Sequence, residues 1–320
     1  MGDQTSMKNR VLLTGGLGYV GGRVALALRD SGFDVYCGTR RIELKAPKWF
    51  PEMQMLHVDW ESRDSLVNLC QEVDFVVHLS AMNEIESIRD PVGALKINGL
   101  ASLNLLEAAK LSGVSRFVYF STAHVYGSPL QGLIDESTLP RPIHPYAITH
   151  KVAEDFVLAA HDSGEIEGVV VRLSNCFGAP VTSDIERWTL LVNDLCRQAV
   201  ITGKLRLNSS GSQLRDFITL DDVARAVCHL LKLDRCLIAD GLFNLGGDMA
   251  ISIFEMTERV AARWKLLTGH EIEIIRPISE HLSSPMLKYR CDKLFSTGFN
   301  LTSEVDREID DTLSLCRQAF

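Results

Sequence analysis

The sequence predicts an α/β protein: a doubly wound parallel sheet with a smaller C-terminal lobe. Three observations carry this expectation. Six short apolar runs recur through the first half, at residues 11–13, 35–37, 55–58, 75–79, 117–120 and 169–173. They are rich in β-branched and aromatic residues and do not alternate with polar ones, the pattern of strands buried on both faces. Between them lie helix-like stretches such as 22–30 and 101–111, with apolar residues at three- and four-residue spacing. The first run leads straight into a glycine-rich turn. Repeated strand–helix units of this kind build a parallel sheet covered on both sides.

The chain has 320 residues, 46% apolar and 23% charged, enough for a sizeable core. Residues 1–9 are polar and read as a flexible leader without the apolar stretch of a signal peptide. Residues 10–173 are expected to form the sheet domain, with 213–245 returning to it. The remainder, 174–212 and 246–320, loses the regular alternation and is expected to form the smaller, substrate-binding lobe. The net charge of −8 argues against a nucleic-acid surface, which needs clustered Lys and Arg. No apolar run reaches the length of a membrane span. The eight cysteines are scattered, without C-x-x-C or metal-ligand spacing, so no metal site is expected. They read as reduced thiols in a cytoplasmic chain.

The first strand runs into Thr14-Gly15-Gly16-Leu17-Gly18-Tyr19-Val20-Gly21-Gly22 and then a helix. Glycines permit a tight turn and let the backbone approach a pyrophosphate. The helix start adds free N–H groups and a partial positive charge. Strand before and helix after make this a dinucleotide-binding turn. The second strand ends in Gly38-Thr39-Arg40-Arg41. A carboxylate there would bind the ribose 2′-hydroxyl of NAD; two arginines suit a 2′-phosphate. NADP is therefore favoured over NAD. Asp59 and Trp60, after the third run, are placed to meet the adenine.

Five further stretches complete a pattern: His78-Leu79-Ser80-Ala81, Asn98-Gly99-Leu100, Phe120-Ser121-Thr122-Ala123-His124-Val125-Tyr126-Gly127, Pro145-Tyr146 and Gln213-Leu214-Arg215-Asp216-Phe217. In this order the chain resembles an extended short-chain dehydrogenase/reductase of the nucleotide-sugar epimerase/dehydratase group, over about residues 10–300. The resemblance implies a Rossmann domain holding a nicotinamide dinucleotide and a lobe holding a nucleoside-diphosphate sugar. It implies that Gly15, Gly18, Tyr19 and Val20 cradle the pyrophosphate. Leu79, Ser80 and Ala81 line the cofactor, and Asn98 supports the sheet beside it. Thr122 hydrogen-bonds the reacting sugar oxygen, Tyr146 is the acid/base, Asn175 faces the sugar and Arg215 grips the diphosphate. Members are usually homodimers, through helices flanking the tyrosine. The residues themselves agree: Thr122 ends a buried run, where open α/β sheets bind ligands, and Arg215 is a fork donor. A local Arg215–Asp216 ion pair is the plainer reading of that pair.

The pattern breaks at one position. The group pairs its tyrosine with a lysine four residues on; here that residue is His150, and Lys151 comes one place late. One residue turns a helix by about 100°, so Lys151 points off the tyrosine's face. Ala153-Glu154 also stands in the register that aligns His150 with the lysine. Tyr146 and His150, at i and i+4, share a face. A neutral histidine would hold the cofactor ribose but lower the tyrosine pKa less than lysine does, unless an acid keeps it charged. Slower or pH-shifted catalysis is expected.

Dehydratases of the group carry Asp-Glu after the threonine equivalent, where this chain has Ala123-His124. That leaves 4-epimerisation through a transient keto sugar, in carbohydrate biosynthesis, ahead of ketoreduction with NAD(P)H. A non-catalytic NADP-binding sensor is a third reading. His124 is expected to shape the sugar pocket. Trp188, Lys288 and Arg290 are candidates for that pocket without assigned roles.

Overall fold

The computed structural model describes residues 9–277 and 285–320; residues 1–8, most of the expected leader, lie outside them. Seven strands make the central sheet: β1 (Arg10–Thr14), β2 (Asp34–Thr39), β3 (Gln54–His57), β4 (Phe75–His78), β5 (Arg116–Thr122), β6 (Glu167–Leu173) and β7 (Leu242–Leu245). Their spatial order is 3-2-1-4-5-6-7, and every neighbouring pair is parallel. This is the expected Rossmann arrangement. The strand order reverses between β1 and β4, and a crevice opens there at the carboxyl ends of the strands.

Alternate residues of each strand feed two separate cores. Val11, Leu13, Val118 and Phe120 face the helices Tyr19–Asp30 and Leu220–Lys232. Leu12, Val76, Phe117 and Tyr119 face the helices Arg63–Cys70, Ser102–Leu111 and Pro145–Asp162. Both faces are dry, which is why the strands read as unbroken apolar runs.

A third core lies among helices Leu191–Thr202, Ile253–Thr268 and Val305–Ala319. Strand Leu214–Thr219 pairs in parallel with Asn175–Phe177 and antiparallel with Ala250–Ser252, outside the central sheet. The chain then returns to the sheet through helix Leu220–Lys232 and β7. Trp188 is buried in the third core, its indole N–H donating to Ser183 O at 3.3 Å.

Helix Pro145–Asp162 begins with Pro at its first turn and His144 as its N-cap. It is fixed to the sheet by a buried ion pair. Arg172 on β6 donates to Glu154 through Nη2 at 2.8 Å and Nε at 3.1 Å. The side chains are 3% and 0% exposed. The guanidinium also lies 4.6 Å over the ring of Tyr126. Breaking such a pair strands one charge in the interior, at a cost of about 3–5 kcal/mol. Glu154→Ala is therefore expected to lose about that much stability in urea denaturation; a loss near zero would show that the pair does not anchor the helix.

Candidate active site

One large cavity, about 1180 Å³, follows the carboxyl ends of β1, β2, β4 and β5 and runs on to Asn175, Arg187 and Arg215. At one end lies the glycine turn. Gly15 has φ +74°, and its carbonyl accepts from Gly18 N at 2.9 Å. A Cβ at Gly21 would sit 2.0 Å from Gly15 O, so the helix packs on the turn only with glycine there. Helix Tyr19–Asp30 starts at Gly18 with no side-chain cap and no acid in its first turn. Its free N–H groups fit a pyrophosphate. Val20, Arg40, Asp59, Trp60, Leu79, Ser80 and Ala81 line the same end.

Three expectations at this end need correction or refinement. Asn98 does not line the cavity. It is fully buried, accepts from Met82 N at 2.7 Å and donates to Thr149 Oγ1 at 3.0 Å, so it is a strut between the loop after β4 and the tyrosine helix. Tyr19 lines the cavity, but its hydroxyl donates to Gly178 O at 2.9 Å. What it can offer a phosphate is its backbone N–H. Of the two arginines after β2, Arg40 lines the cavity, whereas Arg41 is not among the lining residues.

The other end gathers Thr122, His124, Tyr146, His150, Asn175 and Arg215 from four separate segments. The Tyr146 and His150 rings meet edge to face, centroids 4.5 Å apart. Lys151 is turned away and pairs with Asp155. Thr122 Oγ1 caps the turn Ala123–Tyr126 by accepting from His124 N at 3.2 Å. Asn175 Nδ2 donates to Asp216 O at 2.9 Å. The Arg215–Asp216 ion pair, the alternative to a diphosphate-binding Arg215, does not form among the described residues. The Asp216 carboxylate accepts instead from Ser174 Oγ at 2.6 Å, Gly247 N at 2.9 Å and Met249 N at 3.1 Å. Trp188, Lys288 and Arg290 are not among the lining residues; Arg290 pairs with Asp292. Glu84 and Arg187, which sequence reading missed, do line this end and face each other at 3.6 Å. Glu84 opens a short helix after β4 and Arg187 sits in a loop. Neither belongs to a recognisable motif.

The family model described as the NAD dependent epimerase/dehydratase family matches residues 11–246. The chain belongs to this family. A UDP-glucose 4-epimerase of Azospirillum brasilense is 30% identical, over 80% of this chain and 78% of its own length. A UDP-glucose 4-epimerase of Rhizobium leguminosarum bv. trifolii is 29% identical, over 69% of this chain and 73% of its own. Among solved structures, MoeE5 in complex with UDP-glucuronic acid and NAD superposes with a TM-score of 0.79 at 27% identity, covering 98% of this chain and 100% of that one.

Within this epimerase/dehydratase frame, the electrostatics of the site turn on burial. Burial pushes the Tyr146 phenol well above its ordinary value; the Glu84 carboxylate adds to the rise, while Arg187 and a hydrogen bond with Thr122 oppose it. Burial holds His150 down to about 3, against a weaker upward pull from the Phe120 carbonyl. Among the described residues no free acid keeps His150 charged: Glu154, one turn further on, is engaged by Arg172. His150 is therefore neutral. His124 is likewise lowered, by burial first and then by His144, with Glu84 opposing and Arg215 adding to the fall. Ser121 Oγ, His124 Nδ1 and His150 Nε2 are buried without a hydrogen-bond partner among the described residues, and all three residues line the cavity. Buried polar atoms are seldom left so, which fits a site completed by polar ligands.

A tyrosine held as the phenol by a neutral site gains base strength only as pH rises. Activity is expected to climb through the alkaline range, and His150→Lys, by bringing a cation to Tyr146, is expected to move that rise to lower pH. An unchanged pH–rate profile would contradict this.

Proposed function

We propose that this protein is a nucleoside-diphosphate-sugar 4-epimerase that works through a transient keto sugar. The observation that carries the reading is Arg215. Among the described residues its guanidinium has neither hydrogen bond nor ion pair, the residue lines the cavity, and burial lowers its pKa. A desolvated guanidinium without a partner calls for an anion, and it lies in the same cavity as Thr122 and Tyr146. A diphosphate held there leaves the sugar at the tyrosine. The curated 4-epimerase relatives support the same reaction.

A nicotinamide dinucleotide held along Leu79, Ser80 and Ala81 would supply reversible hydride acceptance at the sugar C4. In its phenolate form, which burial makes scarce and rising pH supplies, Tyr146 accepts the C4 hydroxyl proton and as the phenol gives it back on the return, so no proton is lost. Thr122 steadies that oxygen by a hydrogen bond. Between the two steps the keto sugar turns over while Arg215 keeps hold of the diphosphate. Dehydration would need a further acid and base beside Thr122. Ala123 and His124 supply no carboxylate, and Glu84, the one carboxylate among the described residues at this end, faces Arg187.

Gly15, Gly18, Tyr19 and Val20 hold the pyrophosphate, with Asp59 and Trp60 towards the adenine and Leu79, Ser80 and Ala81 along the nicotinamide half. Asn98 acts indirectly, by holding the loop after β4. Asn175 and His124 shape the sugar pocket. Arg40 supports a preference for NADP, because no carboxylate ends β2 and this guanidinium lines the adenosine end. The same feature favours, as second reading, an NADPH-dependent ketoreductase. The homodimer reading is supported by exposed Ile88, Val92, Leu95, Ile148 and Phe156, carried on neighbouring helical segments around the tyrosine. Cytoplasmic residence is supported by cysteines that are all unpaired; among the described residues no helix is long and apolar enough to cross a membrane.

Incubation with UDP sugars, followed by proton NMR, is expected to show interconversion of 4-epimers without net cofactor turnover. Tyr146→Phe is expected to slow it about 10²–10⁴-fold. Stoichiometric NADPH consumption would favour the reductase, and product lacking water would overturn the assignment. Arg40→Ala is expected to weaken NADP relative to NAD by about tenfold or more in a binding titration; an unchanged ratio would remove the NADP preference.

A further inference from the structure

His150 is 2% exposed, yet it lines the cavity. Its two ring nitrogens have different fates. Nδ1 lies 2.7 Å from the hydroxyl of Tyr119, a buried residue of β5. Nε2 is buried and has no partner among the described residues. A neutral imidazole carries one proton, so one nitrogen donates and the other accepts. Which nitrogen faces the ligand as a donor is set by the bond the other one makes.

The polar groups behind Tyr119 are already paired. Ser102 Oγ donates back along its helix to Asn98 O at 2.7 Å. It then accepts from His78 Nε2, at 2.9 Å. His78 Nδ1 is left bare and accepts from Thr14 Oγ1 at 2.6 Å. The Ser102 oxygen keeps one lone pair that Tyr119 also approaches, but a bare imidazole nitrogen is the stronger acceptor, so the phenol donates to His150 Nδ1. The groups facing His150 are Tyr146 on its own helix, Tyr119 and the Phe120 carbonyl from β5, and His78 from β4, with Glu154 one turn on and held by Arg172. None of them is a free carboxylate that would add a second proton.

We propose that Tyr119 is a positioning residue that fixes His150 as its Nε2-protonated neutral tautomer, so that one N–H faces a ribose hydroxyl of the dinucleotide. This rests on the reading that the cavity holds a nicotinamide dinucleotide. A lysine has three rotatable donors and needs no such partner; a histidine offers one donor only if its other nitrogen is capped. The ring of Tyr119 fills the core beneath the helix, and its hydroxyl sets the face of His150.

The test is ¹⁵N NMR of histidine-labelled protein, with His150→Lys identifying the signal by its loss. The expected spectrum has His150 protonated at Nε2 and bare at Nδ1. Tyr119→Phe keeps the ring and removes the cap. It is expected to give a mixture of tautomers and to raise the dinucleotide Kd about fivefold to tenfold, the scale of one hydrogen bond. In the His150→Lys background the same change is expected to move the Kd less than twofold, because an ammonium has no tautomers. A merely structural effect of Tyr119→Phe would weaken binding equally in both backgrounds and would overturn the proposal, as would a wild-type His150 protonated at Nδ1. Should the wild-type protein bind no nicotinamide dinucleotide, the proposed function itself fails, whatever the tautomer.

Discussion

Helix Pro145–Asp162 is tied at three successive depths, once to the helical segment around Asn98 and twice to the sheet, and the geometry of the site depends on those ties. Thr149 receives a hydrogen bond from Asn98, His150 meets Tyr119, and Glu154 receives the two-pronged Arg172. All three contacts are buried. The first is made through the strut that also holds Met82 in the loop after β4, so the tyrosine helix and that edge of the cavity are linked through one side chain. The last brings a charge pair into a dry interface, where neither partner can be given up without stranding the other. Tyr146 is thereby placed next to Thr122, at the end of β5.

The same burial decides the chemistry. An interior that excludes water raises the phenol of Tyr146 and lowers the imidazoles of His78, His124 and His150 together. The catalytic end is therefore a neutral, hydrogen-bonding surface rather than a cationic one. Charge is kept at its borders: Arg215 without a partner, Arg187 facing Glu84, and Arg40 at the far end. These borders suit a ligand that is anionic at its diphosphate and neutral at its reacting sugar. The histidine in the lysine position belongs to that arrangement, because an ammonium among these buried rings would pay a desolvation cost that a neutral imidazole avoids.

Much of this was legible from the sequence because it follows from local rules. Strands buried on both faces must be apolar throughout, and the runs at 11–13, 75–79 and 117–120 each fall on a strand of the sheet. The glycine turn was legible because a Cβ at Gly21 cannot fit against Gly15. The i, i+4 spacing put Tyr146 and His150 on one face and Lys151 off it. What was hidden depends on where side chains find partners. Asn98 proved to be a strut because Met82 and Thr149 reach it first. The hydroxyl of Tyr19 is taken by Gly178, across the lobe. Arg215 is free only because Ser174, Gly247 and Met249 satisfy Asp216, and no spacing in the sequence announces that. Glu84 and Arg187 meet across about a hundred residues, in segments without a pattern.

The central claim is that Tyr146 sits as a phenol in a neutral site, its base strength limited by burial and not supplied by a neighbouring cation. The direct measurement is the tyrosinate absorbance of the protein as pH is raised, taken as the difference between wild type and Tyr146→Phe. The account predicts that the Tyr146 component stays protonated beyond the ordinary tyrosine value of about 10. A tyrosinate signal appearing near neutral pH would contradict it.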